Sequence, residues 1–247
     1  MTALNLIQSP SVNFDQRPTA RKPDMLILHY TGMKTGAEAI SRLQDPDAKV
    51  SAHYVVEEDG RILQLVDEDN RAWHAGVSHW AGEDSVNDFS IGVEIVNPGH
   101  EWGYRAFPNA QMQSLLVLCK DIVERNDISS TRVLGHSDVA YERKTDPGEL
   151  FNWNLLAAGG VGVVIDELSM GADMLLSEVS YHSTAVEITT LQEQLVELGY
   201  GLEVSGQYSQ QTSDCVMAFQ RHWNRQTVTG QADPATLAVL QALLALK

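Results

Sequence analysis

The chain has 247 residues, of which 43% are hydrophobic and 20% charged, and it carries a net charge of -16. That length holds one generous domain, or a medium domain plus a small one, with enough chain to bury a core. The acidic balance argues against nucleic acid as a partner, since a phosphate backbone calls for a basic face, and no apolar run reaches the ~18 residues needed to cross a membrane.

From Met1 to Pro18 the sequence is polar with brief apolar patches, and it lacks the basic segment and apolar core of a secretory signal. Met25-Leu26-Ile27-Leu28 is a short apolar run, the pattern of a strand buried on both faces. It ends at His29-Tyr30-Thr31-Gly32, so His29 is expected at the rim of a sheet, where ligands collect in open α/β folds. Thr35 to Leu43 reads as a short amphipathic helix with Ala37, Ile40 and Leu43 inward. Ala52–Val56 and Ile62–Val66 flank Asp59-Gly60, a strong hairpin signal, and His53 falls in the first of these strands as a core or supporting residue. The loop Trp73-His74-Ala75-Gly76, with His79 and Trp80 behind it, suits the wall of a groove or a loop pinned by its tryptophans.

Ser90 to Val96 is the next strand. Alternation puts Gly92 and Glu94 on one face and Ile91, Val93 and Ile95 on the other, with open space expected beside Glu94 at Gly92. A carboxylate among β-branched residues is costly to bury without a partner, so Glu94 points to chemistry. Asn109 is expected to cap a helix reaching about Arg125, with Met112, Leu115, Leu116, Cys119, Ile122 and Val123 against the sheet. Arg132–Leu134 forms a brief strand leading into Gly135–Gly148, a segment punctuated by glycine and proline and expected to be loop. It carries His136, Lys144 and Asp146. Phe151 to Ala158 reads as a terminal helix, and 166–182 as a linker.

A second unit follows over 183–247, with three short helices. Leu191, Leu195 and Leu198 line the first, which Gly199 closes and for which Thr190 with Glu193 offers a capping box. Val216, Phe219 and Trp223 line the second, and Leu237, Leu240 and Leu244 the third, which starts at Asp233-Pro234. Cys119 and Cys215 lie within helical patterns and read as buried thiols rather than a disulfide.

His136 and Asp146 alone make a poor metal site, because a catalytic zinc takes three protein ligands and keeps one position open; His29 is the best third ligand. Two imidazoles and a carboxylate suit zinc, which acidifies a bound water to a pKa of roughly 7. Glu94 then serves as general base and Lys144 as the cation facing a tetrahedral oxyanion, a set suited to amide hydrolysis.

Six motifs occur in order: Ile27-Leu28-His29-Tyr30-Thr31, Ser51-Ala52-His53-Tyr54, Arg71–Gly76, Asn87–Glu94, Gly135–Asp138 and Arg143–Gly148. Together they resemble the zinc-dependent N-acetylmuramoyl-L-alanine amidases of the type 2 amidase family, over about residues 20 to 162. The resemblance implies a central mixed β-sheet flanked by helices within an α/β catalytic domain (1–165), zinc on His29, His136 and Asp146, and catalytic Glu94 and Lys144. It implies cleavage between N-acetylmuramic acid and L-alanine of peptidoglycan or its fragments, with Tyr30, Trp73, His74 and Asn87 as substrate contacts. Ala52 stands where some relatives carry a tyrosine near the metal, and Lys144 fits the branch that uses lysine. Leu191-Gln192, Leu198-Gly199-Tyr200, Gly206, Phe219-Gln220 and Thr229-Gly230 with Asp233 and Thr236 are similar to the small all-α three-helix peptidoglycan-binding domain, which would hold the enzyme on the polymer. The rival readings are a non-catalytic peptidoglycan receptor and a zinc peptidase cutting within the stem peptide. A polymer-binding module points to the periplasm or cell envelope, and the missing signal segment to the cytoplasm.

Overall fold

The computed structural model describes residues 4–18, 21–165, 178–224 and 228–246. Much of the expected linker, 166–177, lies outside the described residues. In chain order the strands are β1 (Leu6–Gln8), β2 (Phe14–Gln16), β3 (Met25–Tyr30), β4 (Tyr54–Val56), β5 (Ile62–Gln64), β6 (Asn70–Ala72), β7 (His79–Trp80), β8 (Glu83–Asp84), β9 (Ser90–Ile95) and β10 (Val133–Gly135). The helices are α1 (Gly36–Gln44), α2 (Gly99–Trp102), α3 (Asn109–Asn126), α4 (His136–Val139), α5 (Trp153–Ala158), α6 (Ala185–Leu198), α7 (Gln210–Trp223) and α8 (Pro234–Leu244).

Six strands form one mixed sheet in the order β1-β5-β4-β9-β3-β10, with β4 and β5 antiparallel and the other neighbours parallel. The apolar run of β3 is fully buried at its centre, as a strand covered on both faces requires. Leu26 and Leu28 pack in one cluster with Met112, Leu115, Leu118 and Ile122 of α3. Each fully buried aliphatic side chain there contributes about 1.5–3 kcal/mol. Met25 and Ile27, on the opposite face, belong to a second cluster that includes Leu195, Phe219 and Leu240 of the C-terminal helices. His29 continues that second row at the strand end.

Several local expectations change. Helix α1 buries Ala39 with Leu43, while Ala37 is exposed, and Thr35 caps it through Glu38 N–H. Asn109 is the first residue of α3, not its cap, because Pro108 holds the cap position and its carbonyl already accepts from Met112 N–H. The capping box of α6 is Thr184 with Glu187, so that helix starts upstream of Thr190, whose hydroxyl bonds back to the Val186 carbonyl. The segment after β10 is a single helical turn rather than loop throughout, with Asp138 accepting from Gly135 N–H at its start. Both cysteines are buried and free.

The C-terminal helices dock directly on the α/β unit. Gly199 closes α6 beside Trp80, whose ring leaves no room for a Cβ: one placed there would meet the indole at 2.5 Å. Gly199 also accepts a hydrogen bond from Ala81 N–H, and Tyr141 donates to the Gly201 carbonyl. Val179, within the stretch read as linker, forms an antiparallel bridge with Ala232 and so belongs to this smaller unit. Among the described residues, no helix is long and apolar enough to cross a membrane.

Candidate metal centre and catalytic cleft

Register brings the first two functional groups together. In the parallel pairing of β3 with β9, His29 lies opposite Glu94 and Ile27 opposite Gly92. Both side chains therefore leave the same face of the sheet at its rim. Turn α4 supplies His136 just beyond β10, the strand on the other side of β3. Asp146 comes back against this turn, its carbonyl accepting from Ser137 N–H, and the Asp146–Pro147 peptide is cis.

The result is a compact triad. His29 Nδ1 lies 2.9 Å from His136 Nδ1, and each lies 3.1 Å from Asp146 Oδ2. All three residues are buried. In a tetrahedral zinc site with metal–ligand distances of about 2.0–2.1 Å, ligand atoms stand roughly 3.3 Å apart, so this spacing fits.

The hydrogen bonds behind the triad say which atoms are free to bind. His136 Nε2 lies 3.0 Å from the Ala75 carbonyl, a pure acceptor, so it carries the proton and leaves Nδ1 a lone pair. His29 Nε2 faces His74 Nδ1 at 3.0 Å, and His74 Nε2 faces Ser90 Oγ at 3.3 Å, whose own hydroxyl donates to the Val86 carbonyl. Read in that order, each group donates to the next and His29 Nδ1 is also unprotonated. Burial and the neighbouring His136 drive the His29 pKa down to about 4, so its imidazole is neutral at neutral pH. Three lone-pair atoms thus converge on one point with no shared proton to bind them, which is the donor set of a cation site.

The triad opens on a cleft of about 380 Å³ lined by Tyr30, His74, Glu94, His136, Lys144 and Asp146, among others. Glu94 Oε2 is buried without a hydrogen-bond partner among the described residues. Burial, reinforced by Asp146, pushes its pKa well above the ordinary carboxylate value, while Lys144 pulls the other way. A larger surface groove of about 940 Å³, lined by Leu4, Tyr54, Glu68 and Arg125 among others, contains none of these groups.

The expected substrate contacts divide. Tyr30 lines the cleft, its hydroxyl 3.0 Å from both Thr145 Oγ1 and His100 Nδ1. His74 lines it too, but its ring also supports His29, and it occupies the space above Gly92 that the sequence suggested was open: a Cβ on Gly92 would meet that ring at 2.3 Å. Trp73 and Asn87 lie outside the lining. Trp73 turns away to donate to Asp15 from Nε1 at 2.8 Å, and Asn87 Oδ1 is consumed by the backbone N–H groups of His74 and Ala75. Trp80 is 2% exposed and packs edge-on against Tyr200, so it belongs to the contact with the C-terminal helices rather than to a groove wall. His53 is buried behind the site, its Nδ1 accepting from Gly92 N–H.

Sequence reasoning passed over Arg143, Arg42 and Met33, all in the cleft lining. Arg143 also donates to the carbonyls of Ala75 and Val77, holding the 75–77 loop beside His136. Its place beside Lys144 in the sequence was a usable signal. Arg42, in the last turn of an amphipathic helix, reads in sequence only as a favourable charge near the helix C-terminus.

Comparison with known proteins finds relatives over most of the chain. Residues 19–149 match the family described as N-acetylmuramoyl-L-alanine amidase, and residues 184–240 match a peptidoglycan binding domain family. The chain is 36% identical to the N-acetylmuramoyl-L-alanine amidase AmiD of Escherichia coli, over 89% of this chain and 82% of that protein. It is 35% identical to the 1,6-anhydro-N-acetylmuramyl-L-alanine amidase AmpD of Salmonella typhimurium, over 58% of this chain and 84% of that one. AmiD in complex with the substrate anhydro-N-acetylmuramic acid-L-Ala-D-gamma-Glu-L-Lys superposes with a TM-score of 0.77 at 33% identity, covering 94% of this chain and 93% of that chain. AMPDH3 of Pseudomonas aeruginosa in complex with anhydromuramic pentapeptide also gives 0.77, at 30% identity, covering 93% of this chain and 94% of that chain.

Proposed function

This chain belongs to the N-acetylmuramoyl-L-alanine amidase family and is an amide hydrolase of peptidoglycan, and from that premise we propose that His29, His136 and Asp146 hold zinc while Glu94 and Lys144 carry the proton and charge work of cleavage. The observation that carries this reading is the convergence of three unprotonated ligand atoms beside Glu94, whose Oε2 is buried without a hydrogen-bond partner among the described residues. Zinc bound there supplies a Lewis acid and lowers the pKa of water at the site.

The rest is work for the chain's own side chains. Glu94, its basicity raised by burial, takes a proton from the attacking water and returns it to the alanine nitrogen as the carbon–nitrogen bond breaks. Lys144 lines the same cleft and offers its ammonium to the oxyanion of the lactyl carbonyl, an effect worth about 3 kcal/mol by comparison with loss of one oxyanion donor. Tyr30 and Arg143 line the cleft and contact the substrate, the phenol tethered by Thr145 and His100.

We also assign residues 1–165 to catalysis and 183–247 to holding the polymer, with anhydromuramyl peptides, the ligands of the two superposed complexes, as the soluble substrates. The peptidoglycan-binding match favours a wall-facing compartment. A receptor that merely binds peptidoglycan has no use for a complete ligand set facing a general base.

Incubation with muropeptides and mass spectrometry of the products tests this function. Free stem peptide beginning with L-alanine is the expected product. Shortened peptides still attached to the sugar would replace the amidase with a peptidase acting inside the stem.

A further inference from the structure

We propose that Tyr200 and His222, from the C-terminal unit, are positioning residues for the metal centre, acting through Asp138 on the turn that carries His136. This makes the C-terminal unit part of the active-site framework in addition to any role in holding polymer. It rests on the assignment of His136 as a ligand.

Helix α4 is a single turn, too short to hold its own geometry by internal hydrogen bonds. Residues two apart on an α-helix point to nearly opposite sides, because each step rotates about 100°. His136 therefore faces the cleft while Asp138 faces away from it, toward α7.

On that far side Asp138 is fully buried, and its carboxylate is enclosed by donors. Gly135 N–H reaches Oδ2 at 2.7 Å, the Tyr200 hydroxyl reaches Oδ1 at 2.8 Å, and His222 Nδ1 reaches Oδ2 at 2.7 Å. Two of these three donors come from the C-terminal unit. Both are themselves fixed. The His222 ring is stacked between Trp153 of α5 and Trp223 of α7, with centroids 3.7 Å from each. Tyr200 is 1% exposed and packs edge-on against Trp80. Val139, at the end of the turn, is buried in the same apolar cluster as Leu195 and Phe219. The turn is thus gripped on one side by the C-terminal helices and on the other presents a ligand.

A triad whose atoms must meet within a few tenths of an ångström is sensitive to the placement of each ligand's backbone. Groups that orient metal ligands from behind typically change metal affinity or activity by about 10–100-fold when removed. Tyr200 and His222 act at one further remove, so the lower end of that range, about 10-fold, is expected for each.

The test uses the full chain and four variants. Tyr200→Phe deletes only the hydroxyl, and His222→Leu deletes the imidazole donor. His222→Asn retains an N–H donor near the Nδ1 position and is the rescue. Leu243→Ala, in the buried row of α8, is a control that weakens the same unit without removing any of the three donors to Asp138. Zinc affinity is measured by competition with a chromogenic chelator, kcat and KM on a soluble anhydromuramyl peptide, and amide hydrogen exchange over 135–146 on the metal-free protein. Tyr200→Phe and His222→Leu should bind zinc about 10-fold more weakly and lose a comparable factor in kcat at nearly constant KM. They should also speed exchange over 135–146, and His222→Asn should restore much of each. Leu243→Ala should lower the melting temperature and leave these readouts near wild type. The proposal is overturned if Tyr200→Phe and His222→Leu lower the melting temperature as Leu243→Ala does and leave exchange over 135–146 unchanged. Because exchange is read without metal, a wild-type protein that failed to bind zinc would remove the ligand assignment while the grip on the turn was still decided.

Discussion

Asp138 and Asp146 lie close together in the chain and both are buried, yet one is surrounded by donors and the other by lone pairs. Asp138 receives Gly135 N–H, the Tyr200 hydroxyl and the His222 ring N–H, so every neighbour supplies a proton. Asp146 Oδ2 faces the Nδ1 atoms of His29 and His136, whose protons are committed to His74 and the Ala75 carbonyl on their far sides. A buried carboxylate closed by donors is finished structure. One that meets other acceptors is completed only by a cation, and the same loop builds both.

The sharpest way to break that comparison is to remove each carboxylate in turn. Asp146→Ala should abolish stoichiometric zinc, and losing a Lewis acid worth several kcal/mol should lower kcat by at least about 10³-fold. The metal-free protein should fold about as well as wild type, because no donor is left stranded. Asp138→Ala strands the Tyr200 hydroxyl and the His222 N–H, and removing one partner of such a buried cluster costs about 3–5 kcal/mol. Metal analysis and urea unfolding of both variants decide this. Equal destabilisation by the two would mean that Asp146 is as much a part of the closed structure as Asp138.

Glu94→Gln comes next. It keeps the size of the side chain and the three ligands, so zinc should remain bound while kcat falls by about 10²–10⁴-fold, the range for a general acid–base group. Retained turnover in a zinc-loaded Glu94→Gln protein would take Glu94 out of the chemistry.

A fourth variant concerns support rather than chemistry. Gly92→Ala would drive a methyl into the His74 ring and push it off its hydrogen bond to His29. Overpacking of this kind costs about 1–3 kcal/mol. Because His74 holds His29, zinc affinity should fall as well, which a chelator competition would show. A Gly92→Ala protein with wild-type stability and affinity would mean that His74 is not fixed in its place.

These residues also show what was legible without coordinates. The triad residues His29, His136 and Asp146, and Glu94 beside them, are readable because each breaks a local pattern: a histidine ending an apolar strand, a carboxylate within one, a His–Asp pair in a glycine- and proline-punctuated segment. The sheet followed from alternation and the Asp59-Gly60 hairpin, since short-range periodicity sets which side chains share a face. Contacts fixed only by three-dimensional register were not legible. Nothing in the local sequence says that the space beside Gly92 belongs to His74, or that Trp73 turns toward Asp15. The docking of the C-terminal helices was hidden for the same reason. Asp138, Tyr200 and His222 are ordinary polar residues until folding brings them to one point.

The smallest expected effect separates the cost of Glu94 from its use. Burial, with Asp146 adding to it, raises the folded-state pKa of Glu94 well above the value of about 4.5 it has when unfolded. Between those two values the folded protein binds more protons than the unfolded chain, so stability falls as pH rises through that window. Above the folded pKa the full cost of the buried charge is present; below 4.5 it is gone. In chelator-treated protein, Glu94→Gln should therefore be more stable than wild type at neutral and alkaline pH, with the gain shrinking as pH falls toward 4.5. Urea unfolding of the metal-free pair at several pH values measures it, and a gain that is flat or grows on acidification would mean the carboxylate is not desolvated in the fold. Loading zinc should shrink the gain, since a nearby divalent cation favours the ionised carboxylate. The same charge that strains the empty site is then held where proton transfer needs it.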